Sequence, residues 1–279
     1  MNKLMSKTLL AIFLLLVSFG MAQDTLRVAA DVGLAPFAFT TAQGEVTGFS
    51  VDLFEAVADK LGDTDTEIVD VNFGSIFAGL FSERFDFIIA PTTITEERAQ
   101  QMLFTEPYLP TGLSLLAKSN VDELADLSAL EGEAVAVNSG STADTWATEN
   151  AESYGFEVQR YNKIADAIQA VATNRAYVAV GDTPVIRYTV TQNPTMAEVY
   201  FVDTESSFGY AFRNDDIDRR NQVEGVLECL KQDGTLAAIY EKWFGSAPDE
   251  GMAATTIYPG YGAPSFTGYS EEAHELSCN

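Results

Sequence analysis

An α/β fold in two lobes is the class that this sequence predicts, and two observations predict it. Short apolar stretches typical of buried strands alternate with amphipathic helical stretches along most of the chain. Repeated βα units of this kind form parallel sheets with right-handed crossovers. The 279 residues suffice for two modest α/β domains, and the 47% hydrophobic content excludes a wholly disordered chain. We therefore expect two lobes, each built on a mainly parallel sheet flanked by helices.

The first cycle of βα units begins with the strand predicted at 26–30. Phe49, Leu53, Val57 and Leu61 recur at four-residue spacing, which predicts one apolar helix face, and Gly62 is suited to the C-cap. The predicted elements of this cycle are strands at 26–30, 67–71 and 85–90, and helices at 49–61 and 73–81.

A second cycle with the same pattern begins after a charged, turn-rich stretch at 118–133. Beyond Gly245 the composition changes to Gly, Pro, Ser, Thr and Tyr, which predicts an extended C-terminal segment at 246–279. This segment either wraps the first lobe, anchored by Cys278, or is mobile. The predicted strands of the second cycle are at 134–137, 156–161, 177–181 and 207–212. Residues 139–142 lead into a predicted helix that runs through Trp146, and further helices are predicted at 164–171, 223–230 and 235–243.

The N-terminus has the pattern of a secretory signal. Lys3 and Lys7 precede an apolar run at 9–19, and Gly20-Met21-Ala22 supplies small residues for cleavage before Gln23. A membrane anchor is the alternative, but the run is shorter than the roughly 18 apolar residues that a spanning helix needs. We expect residues 1–22 to be a signal peptide and the protein to be periplasmic.

The net charge of −25 makes nucleic acid an improbable partner, and loss of the two lysines in the signal would make it more negative. The single histidine, His274, lies in the C-terminal segment, and the two cysteines, Cys229 and Cys278, are far apart in sequence. We therefore expect no metal site and no cofactor. Export to an oxidising environment favours a Cys229–Cys278 disulfide. Cys229 lies in a helical pattern, however, and could equally be a buried free thiol.

The stretch that begins at Asp86 joins an apolar strand to a threonine-rich segment and a lone arginine, Arg98. Ligands of open α/β sheets bind at the carboxyl ends of strands, where this segment is expected. A planar, permanently charged guanidinium suits a carboxylate better than lysine does. Arg98 with Thr93 therefore predicts a carboxylate receptor, and the alternative is a solvated helix arginine paired with Glu96 or Glu97.

Five segments, taken in order, resemble the bacterial extracellular solute-binding proteins that deliver polar amino acids to ABC transporters. The resemblance spans residues 26–245 and implies a two-lobed, type II periplasmic-binding-protein fold that closes on hinge crossovers near 111–117 and 203–210. It implies an ABC permease as partner and a monomeric protein. The segments are VTGFSVDLFEAVADKLG, NFGSIFAGLFSERFDFIIAPTTITEERAQQMLFTEPY, VNSGSTA, VGDTPV and DGTLAAIYEKWFG.

With this resemblance, the chain divides into a signal peptide at 1–22, lobe 1 at 23–112 and 207–245, lobe 2 at 113–206, and a C-terminal extension at 246–279. These boundaries are predictions.

The resemblance also assigns the groups that hold an amino acid, which offers one carboxylate and one ammonium. Arg98 matches the arginine that grips the α-carboxylate, and Asp182 matches the acid that pairs with the α-ammonium. The alternative for Asp182 is to cap the helix that begins near Pro184. Thr93 matches a hydroxyl that bonds the main-chain end of the ligand, and Thr142 matches the donor from the second lobe.

Side-chain specificity is less clear from the resemblance. Phe73 matches an aromatic wall, although it could be ordinary core, and Leu34 stands where relatives often place an aromatic ring. Asp31 could bond a polar or cationic ligand side chain, or order its own loop. Asn138 replaces a lysine of some glutamine-binding relatives, and Pro91 replaces a glycine or serine, which leaves an acceptor without a donor. The candidate ligand-binding residues are Arg98, Thr93, Asp182, Thr142, Phe73, Pro91, Asp31, Leu34, Asn138 and Ser141.

An enzyme is the main alternative, because a periplasmic cyclohexadienyl (prephenate/arogenate) dehydratase has a similar fold and also binds a carboxylate. Against it, the pair Arg98 and Asp182 suits binding, and no buried general acid with a raised pKa is apparent from the sequence. A sensing or accessory protein without a transporter is a third possibility. The favoured interpretation is a non-enzymatic solute-binding protein that captures a polar L-amino acid by hinge closure and delivers it to an ABC permease.

Overall fold

The computed structural model describes residues 25–62 and 65–278, so the predicted signal peptide lies outside the described residues. Within these ranges no helix combines the length and the apolar character that crossing a bilayer requires. The strands are β1 (Leu26–Ala30), β2 (Phe39–Thr40), β3 (Val46–Thr47), β4 (Thr66–Asp70), β5 (Phe87–Thr93), β6 (Met102–Phe104), β7 (Leu109–Lys118), β8 (Ala134–Asn138), β9 (Glu157–Tyr161), β10 (Val178–Asp182) and β11 (Met196–Arg213). The α-helices are α1 (Phe49–Leu61), α2 (Phe73–Phe81), α3 (Glu96–Ala99), α4 (Thr142–Tyr154), α5 (Ile164–Ala172), α6 (Thr183–Gln192), α7 (Ile217–Gln232) and α8 (Thr235–Phe244), and a 3-10 helix spans Leu127–Leu130.

Nine strands form one continuous sheet in the order β4-β1-β5-β11-β7-β10-β8-β9, with β6 beside β11. Pairing is parallel on both sides, between β4, β1 and β5 and between β10, β8 and β9. In the middle, β11 runs antiparallel to β5 and β7, and β7 runs antiparallel to β10. The fold is the predicted α/β, two-lobed type: two parallel halves joined by β7 and β11. We take these halves as lobes 1 and 2, and their predicted residue boundaries stay a prediction.

An aromatic core holds the first lobe together. Phe37, Phe49 and Phe208 are fully buried, and the ring of Phe37 packs edge-on against the other two at centroid distances of 5.8 and 5.6 Å. Helix α1 brings Phe49 to this core because its apolar residues share one face, and it ends at Gly62, whose φ of 76° suits glycine. Edge-on aromatic pairs of this kind contribute beyond the area they bury.

Two strand predictions differ from the structure. Strand β5 continues to Thr93, whereas the sequence predicts an end at Ala90, because Thr93 pairs with Phe208 of β11. Strand β11 is one strand of 18 residues, whereas only 207–212 is predicted. Its polar middle resembles a loop locally, and its pairing with β7 is interrupted by a register shift between Val202 and Ser206. Partners distant in sequence decide both boundaries.

The C-terminal extension packs against the first lobe. The backbone N–H of Tyr258 donates to Glu106 Oε2 at 2.7 Å, and that of Gly262 donates to Glu224 Oε1 at 2.6 Å. Both glutamates are fully buried. Burial raises the pKa of Glu224 to about 8, against the opposing Gly262 hydrogen bond and the nearby Arg220.

Helix α7 fastens the end of the extension. Cys229 is bonded to Cys278, with a Cα–Cα distance of 5.4 Å, and His274 Nε2 lies 2.6 Å from Glu228 Oε2. Lys231 Nζ donates to the carbonyl of Thr256 at 2.8 Å. The extension is therefore tied to one helix by a covalent bond, a histidine–carboxylate contact and a charged hydrogen bond.

Removal of the disulfide is expected to destabilise the protein. The bond joins residues 49 positions apart, and the chain-entropy model assigns such a loop roughly 4 kcal/mol. We expect the double variant Cys229→Ser/Cys278→Ser to lose about 2 to 4 kcal/mol in urea unfolding. Wild type measured in reductant is the matched control and should behave like the variant. Equal unfolding midpoints for the variant and the oxidised wild type would contradict this role.

Candidate functional site

The carboxyl ends of parallel strands from both lobes meet in one cleft. In lobe 1, Asp31 follows β1 and Thr93 ends β5; in lobe 2, Asn138 ends β8 and Asp182 ends β10. Parallel strands expose their carboxyl ends at the same sheet edge, which is where ligands of α/β folds bind. Because the two halves face each other through these edges, candidate residues from distant parts of the chain come together.

Two cavities lie in this cleft, and Asp182 lines both. The larger has a volume of about 240 Å³ and the smaller about 20 Å³. Nine of the ten residues predicted from the sequence line one or both. Asp31 does not, and lies against the backbone of Phe73. The larger cavity includes Thr93, Arg98, Thr142 and Asp182, and the smaller includes Leu34, Phe73, Pro91, Asn138, Ser141 and Asp182.

A cavity of about 480 Å³ lies elsewhere, between α6, α8 and the strands β7 and β11. Its lining is dominated by apolar groups such as Phe201 and Trp243, and contains neither Arg98 nor Asp182. Chemistry rather than size therefore places the candidate site in the cleft.

A short helix aims Arg98 into the cleft. Thr95 caps α3, since its Oγ1 accepts a hydrogen bond from the Arg98 backbone N–H at 3.2 Å. The Arg98 guanidinium donates through Nη1 to the Thr93 carbonyl at 2.9 Å, and through Nη2 to the Gly140 carbonyl of lobe 2 at 3.3 Å. These bonds fix the guanidinium at the cleft, in place of the solvated pair with Glu96 or Glu97.

Two aromatic rings support the same guanidinium. The Cζ atom of Arg98 lies 5.5 Å from the ring centroid of Phe73 and 5.1 Å from that of Phe77. Stacking on ring faces stabilises the cation and limits its movement. Burial lowers the pKa of Arg98 to about 10, with Asp182 and Glu97 opposing that shift. Arg98 therefore remains a cation at neutral pH.

Asp182 supplies the anion on the opposite wall. It occupies the N-cap position of α6, yet its side chain makes no capping hydrogen bond there. Its Oδ1 atom is buried and has no hydrogen-bond partner among the described residues. Burial raises the pKa of Asp182 to about 6, although the Arg98 guanidinium lowers it. An oxygen in this position can accept a hydrogen bond from a ligand ammonium.

The raised pKa of Asp182 corrects one expectation. From the sequence, no buried acid with a raised pKa is apparent, whereas the structure places Asp182 in the cleft with a pKa of about 6. The shift comes from burial of this strand end in the folded protein, which the local sequence does not reveal.

The start of α4 forms the lobe 2 wall. Ser141 caps this helix by accepting from the Asp144 backbone N–H at 3.2 Å, and its hydroxyl donates to the Asn138 carbonyl at 2.7 Å. The Asn138 amide donates to two backbone carbonyls at the end of β9. Asn138 and Ser141 therefore hold the loop in shape, while Thr142, the first helical residue, lines the larger cavity.

Apolar side chains line the smaller cavity. Phe73 is only 5% exposed, and Leu34 and Pro91 are also buried beside it. Trp146 lines the larger cavity and was not singled out from the sequence. It lies four residues after Thr142 on the same helix, so the two share a face. An aromatic surface is therefore present in the cleft despite Leu34.

Lys163 is a second residue that sequence reasoning missed. Its Nζ donates to Asp31 Oδ1 at 2.9 Å, to the Val32 carbonyl at 2.6 Å and to Asp70 Oδ1 at 3.1 Å. The position of Lys163, shortly after β9, could have indicated it, since Asp31 and Asp70 also stand at carboxyl ends of parallel strands. Burial by itself lowers the pKa of Lys163, but the hydrogen bonds and charges of Asp31 and Asp70 together outweigh burial, so the pKa is raised.

The two lobes contact each other across the cleft. A Cβ added to Gly74 of lobe 1 would lie 3.1 Å from the Ser139 carbonyl oxygen of lobe 2. One added to Gly140, where φ is +76°, would lie 3.1 Å from the Gly74 Cα. Together with the Arg98–Gly140 hydrogen bond, these contacts describe a closed cleft.

A cleft between two α/β lobes, with a fixed cation on one wall and a fixed anion on the other, defines the class of extracellular solute-binding proteins. The chain belongs to the bacterial extracellular solute-binding proteins, family 3, whose family model matches residues 26–246.

Individual relatives agree with this class. A "probable amino-acid ABC transporter-binding protein" of Haemophilus influenzae is 29% identical over 223 residues, covering 79% of this chain and 85% of the relative. The structure of an ancestral arginine-binding protein bound to arginine is 34% identical, with a TM-score of 0.75, covering 79% of this chain and 98% of that chain. An ancestral amino acid-binding protein, described as a precursor of cyclohexadienyl dehydratase, is 33% identical, with a TM-score of 0.71, covering 79% and 95%.

The structure predicts that Asp182→Asn stabilises the ligand-free protein at neutral pH. A folded-state pKa of about 6, against 3.8 as the ordinary value, means that ionised Asp182 disfavours folding by up to about 3 kcal/mol. We expect the free energy of unfolding of the variant to exceed that of wild type by about 1 to 3 kcal/mol at pH 7 to 8. The lower end of this range allows for the charge partner that Arg98 loses. Chemical unfolding of ligand-free protein measures the difference.

The sign of this effect fixes its pH dependence. As pH falls from about 6 toward 3.8, the folded wild type takes up a proton before the unfolded chain does, so the advantage of the variant should disappear. A variant less stable than wild type at pH 7 would refute the buried-charge interpretation of Asp182.

Proposed function

We propose that this protein is an extracytoplasmic solute-binding protein that captures a polar L-amino acid by hinge closure and delivers it to the permease of an ABC transporter. One observation carries the proposal: the cation Arg98 and the anion Asp182 line the same cavity of about 240 Å³ from opposite lobes. A zwitterion is the ligand whose two charges match this arrangement.

The carboxylate of the ligand binds Arg98 in this proposal. A guanidinium has five N–H donors, and among the described residues two of its nitrogens are bonded to the Thr93 and Gly140 carbonyls. Donors remain for a carboxylate, and Thr93 and the first turn of α4 at Thr142 add polar groups around it. Binding of the carboxylate would therefore use preorganised donors and little rearrangement.

The ammonium of the ligand binds Asp182. The buried Oδ1 atom accepts one ammonium hydrogen, and the added positive charge keeps the carboxylate ionised. Because Arg98 and Asp182 come from different lobes, a bound zwitterion contacts both. It stabilises the closed form through contacts that the open form lacks, which is the thermodynamic requirement for ligand-driven closure.

Strands β7 and β11 are the crossovers on which the lobes would move. In the part of the chain that the structure describes, they run through the middle of the sheet and connect the two parallel halves. Closure brings lobe 2 residues onto a ligand already held by lobe 1, and the closed monomer then docks on its permease in the periplasm. The family supports this partner, since the relatives are binding proteins of ABC transporters.

An enzyme is the second candidate, and one observation favours it. Asp182 has a pKa of about 6 and lies in the cleft, where such an acid could donate a proton to a departing hydroxyl group, as a prephenate-type dehydration requires. Binding remains the better-supported function because the same carboxylate faces Arg98 and is suited to an ammonium partner. Turnover of prephenate by purified protein would reverse this ranking.

Ligand-dependent stabilisation tests the proposed function. Purified protein, refolded to remove carried-over ligand, is expected to show a raised melting temperature with one or a few of the common L-amino acids. Arg98→Ala should abolish the shift, and Arg98→Lys should restore only part of it because lysine lacks the planar fork. Prephenate belongs in the same panel. If the protein is folded and no amino acid raises its melting temperature, the proposal is contradicted.

Ligand affinity should fall in acid. Below about pH 6 the ligand-free protein holds Asp182 protonated, so binding of an ammonium requires loss of that proton. We expect affinity to be constant from pH 7 to 8 and to weaken by up to about tenfold per pH unit below pH 6. Calorimetric titrations from pH 4.5 to 8 measure this, and Asp182→Asn is the control, with weak binding that no longer follows this profile. A flat wild-type profile would contradict the role of Asp182.

A further inference from the structure

Asp31 is the acid that a cationic ligand side chain would need, yet its oxygens are already bonded. Oδ2 accepts the backbone N–H of Phe73 at 3.2 Å, at the N-terminus of α2, and Oδ1 accepts Lys163 Nζ at 2.9 Å. The side chain is 2% exposed. Asp31 thus caps a helix with one oxygen and closes an ion pair with the other, so it presents no free charge to the cleft.

Lys163 reaches Asp31 from the opposite lobe and is itself fully used. An ammonium has three N–H donors, and those of Lys163 are matched by Asp31 Oδ1, Asp70 Oδ1 and the Val32 carbonyl. Its side chain is 26% exposed, so bulk water screens this pair only in part. All three Lys163 donors are therefore used, and each Asp31 oxygen already accepts a hydrogen bond, so a ligand cation would have to compete with Lys163 for Asp31.

The neighbours of this ion pair line the small cavity. Phe73, which bonds Asp31, and Ile164, which follows Lys163, both belong to that lining, together with Leu34 and Val185. The cavity measures about 20 Å³, and Asn138 and Ser141 are its uncharged polar members. Asp182 also lines this cavity, but in the proposed function it binds the α-ammonium of the ligand. A guanidinium or ammonium of a ligand side chain entering here would therefore lose water beside Lys163 without gaining a further anionic partner, which is costly for a charged group.

We propose that Lys163 determines specificity in this cleft: by holding Asp31 in an ion pair it excludes arginine and lysine and selects an L-amino acid with an uncharged side chain. This inference rests on the proposed function, in which the α-groups of the ligand bind Arg98 and Asp182. It separates this chain from its arginine-bound structural neighbour in spite of their shared fold.

Removing the charge of Lys163 tests the inference. Calorimetric titration of purified, refolded protein compares arginine, lysine, glutamate and the uncharged amino acids against wild type, Lys163→Met, Lys163→Arg and Lys163→Met/Asp31→Asn. Wild type should bind an uncharged amino acid at least about tenfold more tightly than arginine, since a charged hydrogen bond contributes that much. Lys163→Met should increase arginine affinity by at least about tenfold, because Asp31 then has an oxygen free for the guanidinium.

Two controls isolate the charge at this position. Lys163→Arg keeps a cation beside Asp31 and should not gain arginine affinity, and adding Asp31→Asn to Lys163→Met should remove the gain. Lys60→Met, which breaks an ion pair with Asp233 outside the cleft, should leave the ligand profile unchanged.

Each outcome separates the inference from the proposed function. Wild type that binds arginine as tightly as any uncharged amino acid overturns the inference and leaves the proposed function intact. A folded Lys163→Met that keeps its uncharged ligand but gains no arginine affinity does the same. Failure of every amino acid to bind wild type and all variants overturns both.

Discussion

Two opposite charges, partly buried on facing walls of one cleft, are the constraint on which this structure depends. Burial moves the pKa of Arg98 to about 10 and that of Asp182 to about 6, so each group is displaced toward its neutral form even though the two attract each other. Desolvation thus exceeds their mutual attraction. A ligand that brings a carboxylate to one and an ammonium to the other relieves both costs, and only a closed cleft allows it to contact both. In the proposed function, the destabilisation of the empty site and the affinity for a zwitterion therefore have the same physical origin.

The remaining architecture holds these charges in place while allowing the lobes to separate. Arg98 is fixed by a capped helical turn, a carbonyl on its own lobe and two aromatic rings, whereas Asp182 is fixed by the end of a central strand. In the described residues, the contacts between the lobes include a hydrogen bond to Gly140, close packing at Gly74 and the bonds of Lys163 to Asp31, Val32 and Asp70. The covalent link, from α7 to the C-terminal extension, and the buried ion pair between Lys231 of α7 and Glu106 lie elsewhere. Rigidity is therefore concentrated within a lobe, and the interface stays separable.

The sequence predicted what local patterns and family motifs encode. Helices α1 and α2 and strand β1 follow from apolar periodicity and end where expected, and nine of ten candidate residues line the cleft. What it could not predict depends on partners distant in the chain. Strand β5 extends because β11 pairs with its threonines, and the acid at the end of β10 acquires its raised pKa only when the folded protein buries it. The sequence predicts where each residue lies in its own strand or helix, but not which residues lie next to it across the cleft.

Lys163 shows why different residues recognise the main-chain groups of an amino acid and its side chain. The main-chain groups of an amino acid are constant, so a receptor can hold them with residues in fixed motifs such as the turn after β5. Selectivity arises farther along the cleft, where Asp31 alone would attract a cation and Asp31 paired with Lys163 does not. One substitution at the N-cap of α5, on the opposite lobe from the acid, changes the charge of that region without altering Arg98 or Asp182. Specificity therefore depends on a pair formed only across the closed cleft, and likeness to an arginine-bound neighbour does not transfer it.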